Sequence, residues 1–280
     1  MSVQNALLSV LVEKVRTDTL VLPSLPEIAI KIRQLAEDPD VNLHKMADLI
    51  SHDPALSARI MKIANSAFVG RSIQITTLQQ ATTRIGLRYI KNVVTAMAME
   101  QLFVSKSALI KKYMDNVWKE TKELTALALA TMQQYNSNFK YTTVNFDTMT
   151  LAGLVHNIGA LPVLTEAEKQ LEIFGDEQLI KDSIATISAP IGATILRSWG
   201  FPADLVEVAE QWKNTEFEPK HPSYTDFIRI AAIRLGLMGT DTDIESQLKP
   251  YVDAGLIPST EYYKSPEFAT TLHDVQQMLM

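Results

Sequence analysis

The sequence contains no cysteine, which excludes disulfides, thiolate metal sites and cysteine nucleophiles. Sustained period-2 alternation, the mark of half-buried strands, is also missing. No stretch reaches the ~18 continuous apolar residues of a membrane-spanning helix. The N-terminus, MSVQNALLSVLVEKVRTDTL, has its apolar positions broken by Gln, Asn, Ser and Glu13, and lacks the basic start and cleavage site of a signal peptide. The expectation is a cytoplasmic protein that does not engage the membrane. Phosphate-loop words of the Walker A or G-x-G-x-x-G kind do not occur, and neither does a G-x-S-x-G nucleophile elbow.

Positive charge is in deficit, with 26 Lys and Arg against 32 Asp and Glu and a net charge of -6. Nucleic-acid affinity rests on clustered cations that release counterions, so no nucleic-acid partner is expected. Arg84, Arg88 and Lys91, at helical spacing, read as a solvated face.

What is present is 280 residues, 46% of them hydrophobic and 21% charged, enough for a sizeable core and one or two domains. Helical periodicity recurs throughout and predicts an all-α fold. A first helix is expected over residues 1–19, with Ala6, Leu7, Val10, Leu11 and Val15 on one side, broken by Leu22-Pro23-Ser24-Leu25-Pro26. Ser24 is the expected cap of the next helix, which carries Ile28, Ile32 and Leu35 and stops near Asp38-Pro39. Asn42, Asp53 and Thr77 are the expected caps of three further helices, and Gly86 ends or bends the last of these.

One long helix or two follow, through Tyr113, Val117, Leu124 and Ala128, and residues 135–145 then read as a loop. Asp147 is the expected cap of a helix to Ile158 that Gly159 stops, and Ser188 with Pro190 is the expected start of another that Gly200 ends. Pro202 opens the next, 227–237 is a further helix, 239–258 is broken and acidic, and 265–280 forms a terminal helix. Trp118, Trp199 and Trp212 read as core residues of separate helices.

Several words recur in a fixed order: LPSLPEIA (22–29), DPALSARIMKIANSAF (53–68), ATTRIG (81–86), VHNIG (155–159) and WGFP (199–202). Together they resemble the HDOD (HD-related output domain) family over roughly residues 18–215. The resemblance implies a two-lobed helical module derived from the HD phosphohydrolase fold, used in bacterial signalling and usually without catalysis. On that reading an N-terminal helical lobe covers 1–105, an HD-like lobe 106–238 and a C-terminal extension 239–280. The implied partners are signalling proteins of cyclic-dinucleotide or two-component pathways, and a homo-oligomer is left open.

The HD superfamily holds one or two metal ions with an adjacent His-Asp pair and further His and Asp residues from neighbouring helices. The matching pair here is His156-Asn157. Asparagine brings only a neutral amide oxygen where aspartate brings an anionic one. The resemblance places Glu120, Ser188, Gln211 with Trp212, and Ala232 at the other ligand positions, so only His156 and Glu120 could bind metal. No catalytic residue, metal or cofactor is therefore expected, and His156 reads as a packed, hydrogen-bonded histidine. His44, His52, His221 and His273 offer no helical i, i+4 partner. Asn65-Ser66 reads as a helix stop and turn. Two rival functions remain: a divergent metal-dependent phosphohydrolase, and a nucleotide sensor that uses the pocket beside His156.

Overall fold

The computed structural model describes residues 6–66, 69, 73–139, 141–174, 176–218, 221–240 and 242–279. Among them the fold is all-α, with no strand. The first half is a succession of short helices: α1 (Ala6–Arg16), α2 (Glu27–Glu37), α3 (Leu43–Ser51), α4 (Pro54–Ala64), α5 (Leu78–Ile85) and α6 (Leu87–Ala98). The second half is built on the 30-residue α7 (Ala108–Ser137), followed by α8 (Phe146–Val155), α9 (Ala160–Lys169), α10 (Leu171–Phe174) and α11 (Glu177–Ser198). It closes with α12 (Ala203–Gln211), α13 (Tyr224–Arg234), α14 (Ile244–Asp253) and α15 (Pro266–Leu279).

Local capping chemistry fixes many of these boundaries. The side chains of Asn42, Asp53 and Thr77 accept from the amides of Lys45 (2.9 Å), Leu56 (3.0 Å) and Gln80 (3.2 Å), each satisfying an otherwise orphaned helix donor. Gly86 separates α5 from α6 at φ +82°, a left-handed conformation open to glycine at little cost. Asn65 ends α4 and does more than stop it. Its amide donates to the carbonyls of Met61 and Ile75, and its oxygen accepts from the Ile75 amide at 2.8 Å. Ala67 and Phe68, the end of the second motif word, lie outside the described residues, as do residues 1–5 of the first expected helix.

Several expected boundaries are corrected. Ser24 does not cap α2; Pro26 occupies that position in an extended conformation with no side-chain cap. Val15 is 43% exposed and does not join Leu7 and Leu11 in the core. The long helix α7 runs on through Ser137, so residues 135–137 are not loop. Asn145, not Asp147, caps α8, accepting from Thr148 at 3.0 Å. Asp147 is instead a buried acceptor for Asn92 (2.9 Å) and Arg88 (3.3 Å).

Ser188 and Pro190 lie inside α11, which begins at its cap Asp176; the lost donor at Pro190 is tolerated within a long packed helix. The helix expected from 227 begins at Tyr224, where Ser223 and Asp226 form a reciprocal capping box. The acidic 239–258 region contains a helix, α14.

The words at the two ends of the motif series meet in space. The Trp199 indole donates to the Pro23 carbonyl at 3.0 Å. The Arg33 guanidinium donates to the carbonyls of Trp199 (2.9 Å) and Gly200 (3.1 Å) and lies over the Phe201 ring at 4.5 Å. LPSLP and WGFP are therefore two sides of one clamp between the halves of the chain. At the other end, α1 packs on α9 and α11, and buried Glu166 of α9 accepts from both Lys14 and Lys169. Burial alone would raise the Glu166 pKa, but the two ammonium groups outweigh it and lower it.

A single apolar core extends from Leu7 to Met278. The segment Phe146–Lys169 and the helix Glu177–Ser198 have the length and average hydropathy of a spanning helix without being continuous apolar runs. The first is 89% buried within the fold; a helix apolar all round is what a protein centre requires.

Candidate functional site

The structure gathers part of the expected site around the α8–α9 turn. His156 is the C-terminal cap of α8 and Asn157 lies in the turn, so neither sits within a helix that runs to Ile158. The turn is tight because Gly159 presses on α11. A β-carbon at Gly159 would lie 1.9 Å from the Ser188 carbonyl oxygen and 2.5 Å from the Gly192 amide nitrogen. Its φ is -67°, so Gly159 is demanded by contact between backbones and not as a left-handed helix stop.

His156 is 1% exposed. Its Nδ1–H donates to the Gly153 carbonyl at 2.5 Å, and its ring meets the Trp212 indole edge-on with centroids 4.6 Å apart. Burial lowers its pKa to about 4, against the Gly153 hydrogen bond and assisted by the nearby Lys213 ammonium. The imidazole is therefore neutral at physiological pH, with the backbone fixing its tautomer.

Lys213 was not expected at this site. Its ammonium lies 4.6 Å from the centre of the Trp212 ring, a cation–π arrangement. Burial lowers its pKa and the Glu120 carboxylate opposes that; burial raises the Glu120 pKa, and Lys213 opposes that in turn. Glu120 of α7, Lys213 and Trp212 beyond α12, and His156 of α8 thus form one electrostatic group drawn from three helices.

The remaining expected positions contribute little chemistry. Gln211 presents its backbone carbonyl to Arg229 at 2.9 Å, while its side chain accepts from exposed Asn214. Buried Arg229 also donates to the Trp212 carbonyl (3.3 Å) and the Tyr251 hydroxyl (2.8 Å), tying α14 to this corner. Ala232 is a buried methyl on α13. Ser188 lends its backbone to the Gly159 contact. Its hydroxyl, the Asn157 amide oxygen and the Trp212 indole nitrogen are buried without hydrogen-bond partners.

The residues do not fit a divalent metal. Such an ion needs several converging donors, with anionic oxygens to offset its dehydration. His156 supplies one neutral nitrogen, Asn157 and Ser188 are neutral, and the fixed charge acting on both His156 and Glu120 is a cation. Among the described residues no group of three or more His, Asp or Glu side chains could hold a metal. His44 does have an i, i+4 neighbour, Asp48 at 3.6 Å, but the two make a lone pair and no second cluster among the described residues. Both side chains are solvated, and His44 also contacts Gln79 at 2.7 Å.

An all-helical module with a buried, neutral histidine at its centre is the class that fold and site define. Residues 22–215, more than half of the chain, match the HDOD domain family model. The chain belongs to the HDOD family.

The structure is similar to that of a "Putative metal-dependent phosphohydrolase" from Shewanella amazonensis SB2B, at 40% identity and a TM-score of 0.94 over the whole of both chains. An HDOD domain protein with unknown function from Geobacter sulfurreducens shares the fold, at 18% identity and a TM-score of 0.61, with 99% and 98% of the two chains covered. An uncharacterized protein of Treponema pallidum (strain Nichols) is 26% identical over 209 residues, which is 71% of this chain and 39% of that protein. The chain thus spans well under half the length of that relative.

Proposed function

We propose that the chain is a non-catalytic bacterial signal-output module that acts through protein–protein contacts, with signalling proteins of cyclic-dinucleotide or two-component pathways as partners. The observation that carries this reading is the internal cation: the Lys213 ammonium lies 4.6 Å from the centre of the same Trp212 ring that His156 packs against, and its charge bears on His156 and Glu120, the two residues that could have ligated metal. A dication drawn to them would meet a lysine ammonium, one imidazole lone pair and a single carboxylate. Membership of a family associated with signalling agrees with that chemistry.

A second reading, a metal-dependent phosphohydrolase, is favoured by the name of the Shewanella relative. Hydrolysis of p-nitrophenyl phosphate and its bis ester separates the two readings. With protein purified without chelator and supplied with Mn2+ or Mg2+, wild type is expected to turn over neither ester faster than the His156→Ala variant. A metal-stimulated rate that His156→Ala abolishes would establish the hydrolase.

A further inference from the structure

The clamp that joins LPSLP to WGFP roofs a cleft of about 280 Å³ between α2 and α6 on one side and α8 and α12 on the other. Three cations reach it: Arg33 from α2, and Arg88 and Lys91 from successive turns of α6. Of the last two, Arg88 lies on a solvated face as expected, whereas Lys91 does not. Lys91 is half-buried and makes no hydrogen bond or ion pair among the described residues. Arg88 reaches Asp147 through Nε at 3.3 Å, yet its side chain is 72% exposed.

The floor carries a second sign of incompleteness. Thr95 lines the cleft one turn beyond Lys91, is 1% exposed, and its hydroxyl has no hydrogen-bond partner. Threonines inside helices ordinarily return their hydroxyl to the carbonyl four residues back. Thr125, Thr131, Thr150, Thr186 and Thr194 do so here, at 2.6–2.9 Å. Thr95 does not, and a buried hydroxyl left unmatched is costly. Two carboxylates, Glu37 and Asp204, share the rim, and Phe201 gives it an aromatic wall.

We propose that this interlobe cleft binds a small phosphate-bearing metabolite that also carries hydroxyl or amine donors, a nucleotide or a sugar phosphate. The phosphate is held by Lys91, Arg88 and the Thr95 hydroxyl; the donors of the attached group face Glu37 and Asp204. Bare anions lack those donors, and neutral nucleosides or sugars lack the charge. At about 280 Å³ the cavity falls just below the usual range of about 300–1,000 Å³ for ligand sites, which favours a small occupant. Because the lining comes from both halves of the chain, an occupant would bridge the LPSLP–WGFP clamp and so bias how the halves sit. None of these residues belongs to the His156 group, so this inference and the reading of that site can fail separately.

Calorimetric titration of the full chain with AMP, glucose 6-phosphate, inorganic phosphate and adenosine tests it. AMP or glucose 6-phosphate is expected to bind saturably, more tightly than inorganic phosphate, and more weakly as salt rises. Adenosine is expected not to bind. Lys91→Gln and Thr95→Val should each weaken binding by about tenfold, the loss of one charged hydrogen bond. Lys91→Gln removes no hydrogen bond or ion pair found among the described residues, so it serves as the decisive variant if Thr95→Val unfolds. No saturable binding by any phosphate compound at millimolar concentration overturns the proposal. So does binding that Lys91→Gln leaves unchanged, binding shared equally by adenosine, or binding of inorganic phosphate with no gain from the attached group.

Discussion

Replacing Gly159 by alanine is expected to remove a large part of the stability of the native state. The added β-carbon would meet the Ser188 carbonyl oxygen at 1.9 Å and the Gly192 nitrogen at 2.5 Å. Both atoms are backbone inside α11, so no rotamer change relieves the clash, and α9 must move away from α11. Overpacking by one methyl costs about 1–3 kcal/mol where side chains can give; here the cost is expected to exceed about 4 kcal/mol, a large share of a domain's total stability. Gly86→Ala is the natural comparison. Gly86 sits at φ +82° and ψ 157° with nothing within 4 Å of an added β-carbon, so only backbone strain of about 1–3 kcal/mol applies. Urea unfolding of both variants should give the order wild type, Gly86→Ala, Gly159→Ala. An equal loss in the two would mean that α9 and α11 are not in backbone contact.

The second large effect is a pH dependence. His156 is held neutral, its pKa lowered to about 4 from an ordinary value near 6.5. Between those values the unfolded chain binds a proton that the folded chain does not, so acid favours unfolding. The contribution of His156 is complete above pH 6.5, falls as pH drops towards 4, and then levels off. The full span corresponds to about 3 kcal/mol. His156→Gln is expected to lose some stability at neutral pH but to lack this slope. Burial raises the pKa of Asp226 and Glu120 and gives them the opposite trend, so the difference between variant and wild type isolates the histidine. Parallel curves from pH 7 to pH 4 would show that His156 is solvated or charged in the folded protein.

How much of this was legible in sequence depends on the range of the physics. Asn42, Asp53 and Thr77 act on amides three residues away, and the sequence alone located them. Asp147 failed the same reasoning because a second acceptor, Asn145, stood two residues earlier, and the interaction that buries Asp147 comes from Asn92 and Arg88 on another helix. Ser188-Pro190 carries start signals, yet α11 overrides them because its apolar face continues back through Ile180 to the cap Asp176. Gly159 reads as a stop from its place in the sequence; only the approach of α11 reveals its other role.

The candidate site divides in the same way. VHNIG pointed to His156 and Asn157, and the structure buries both at the α8–α9 turn. Lys213 was missed because a lysine after the last turn of a helix reads as an ordinary partner for the helix dipole. Its link to Glu120 spans α7 to α12, which no local pattern encodes. The cleft was missed for a related reason. Arg88 and Lys91 show helical spacing, but Arg33 and Phe201 join them only through the clamp between distant motif words.

The central claim is that the group around His156 is closed by the chain's own lysine and does not hold a metal. Elemental analysis of protein purified without chelator, after incubation with Mn2+ and removal of free ion, tests this most directly. The account predicts far less than one equivalent of Mn, Fe, Zn or Mg per chain, unchanged by His156→Ala. One equivalent or more, lost in the His156→Ala variant, would contradict it.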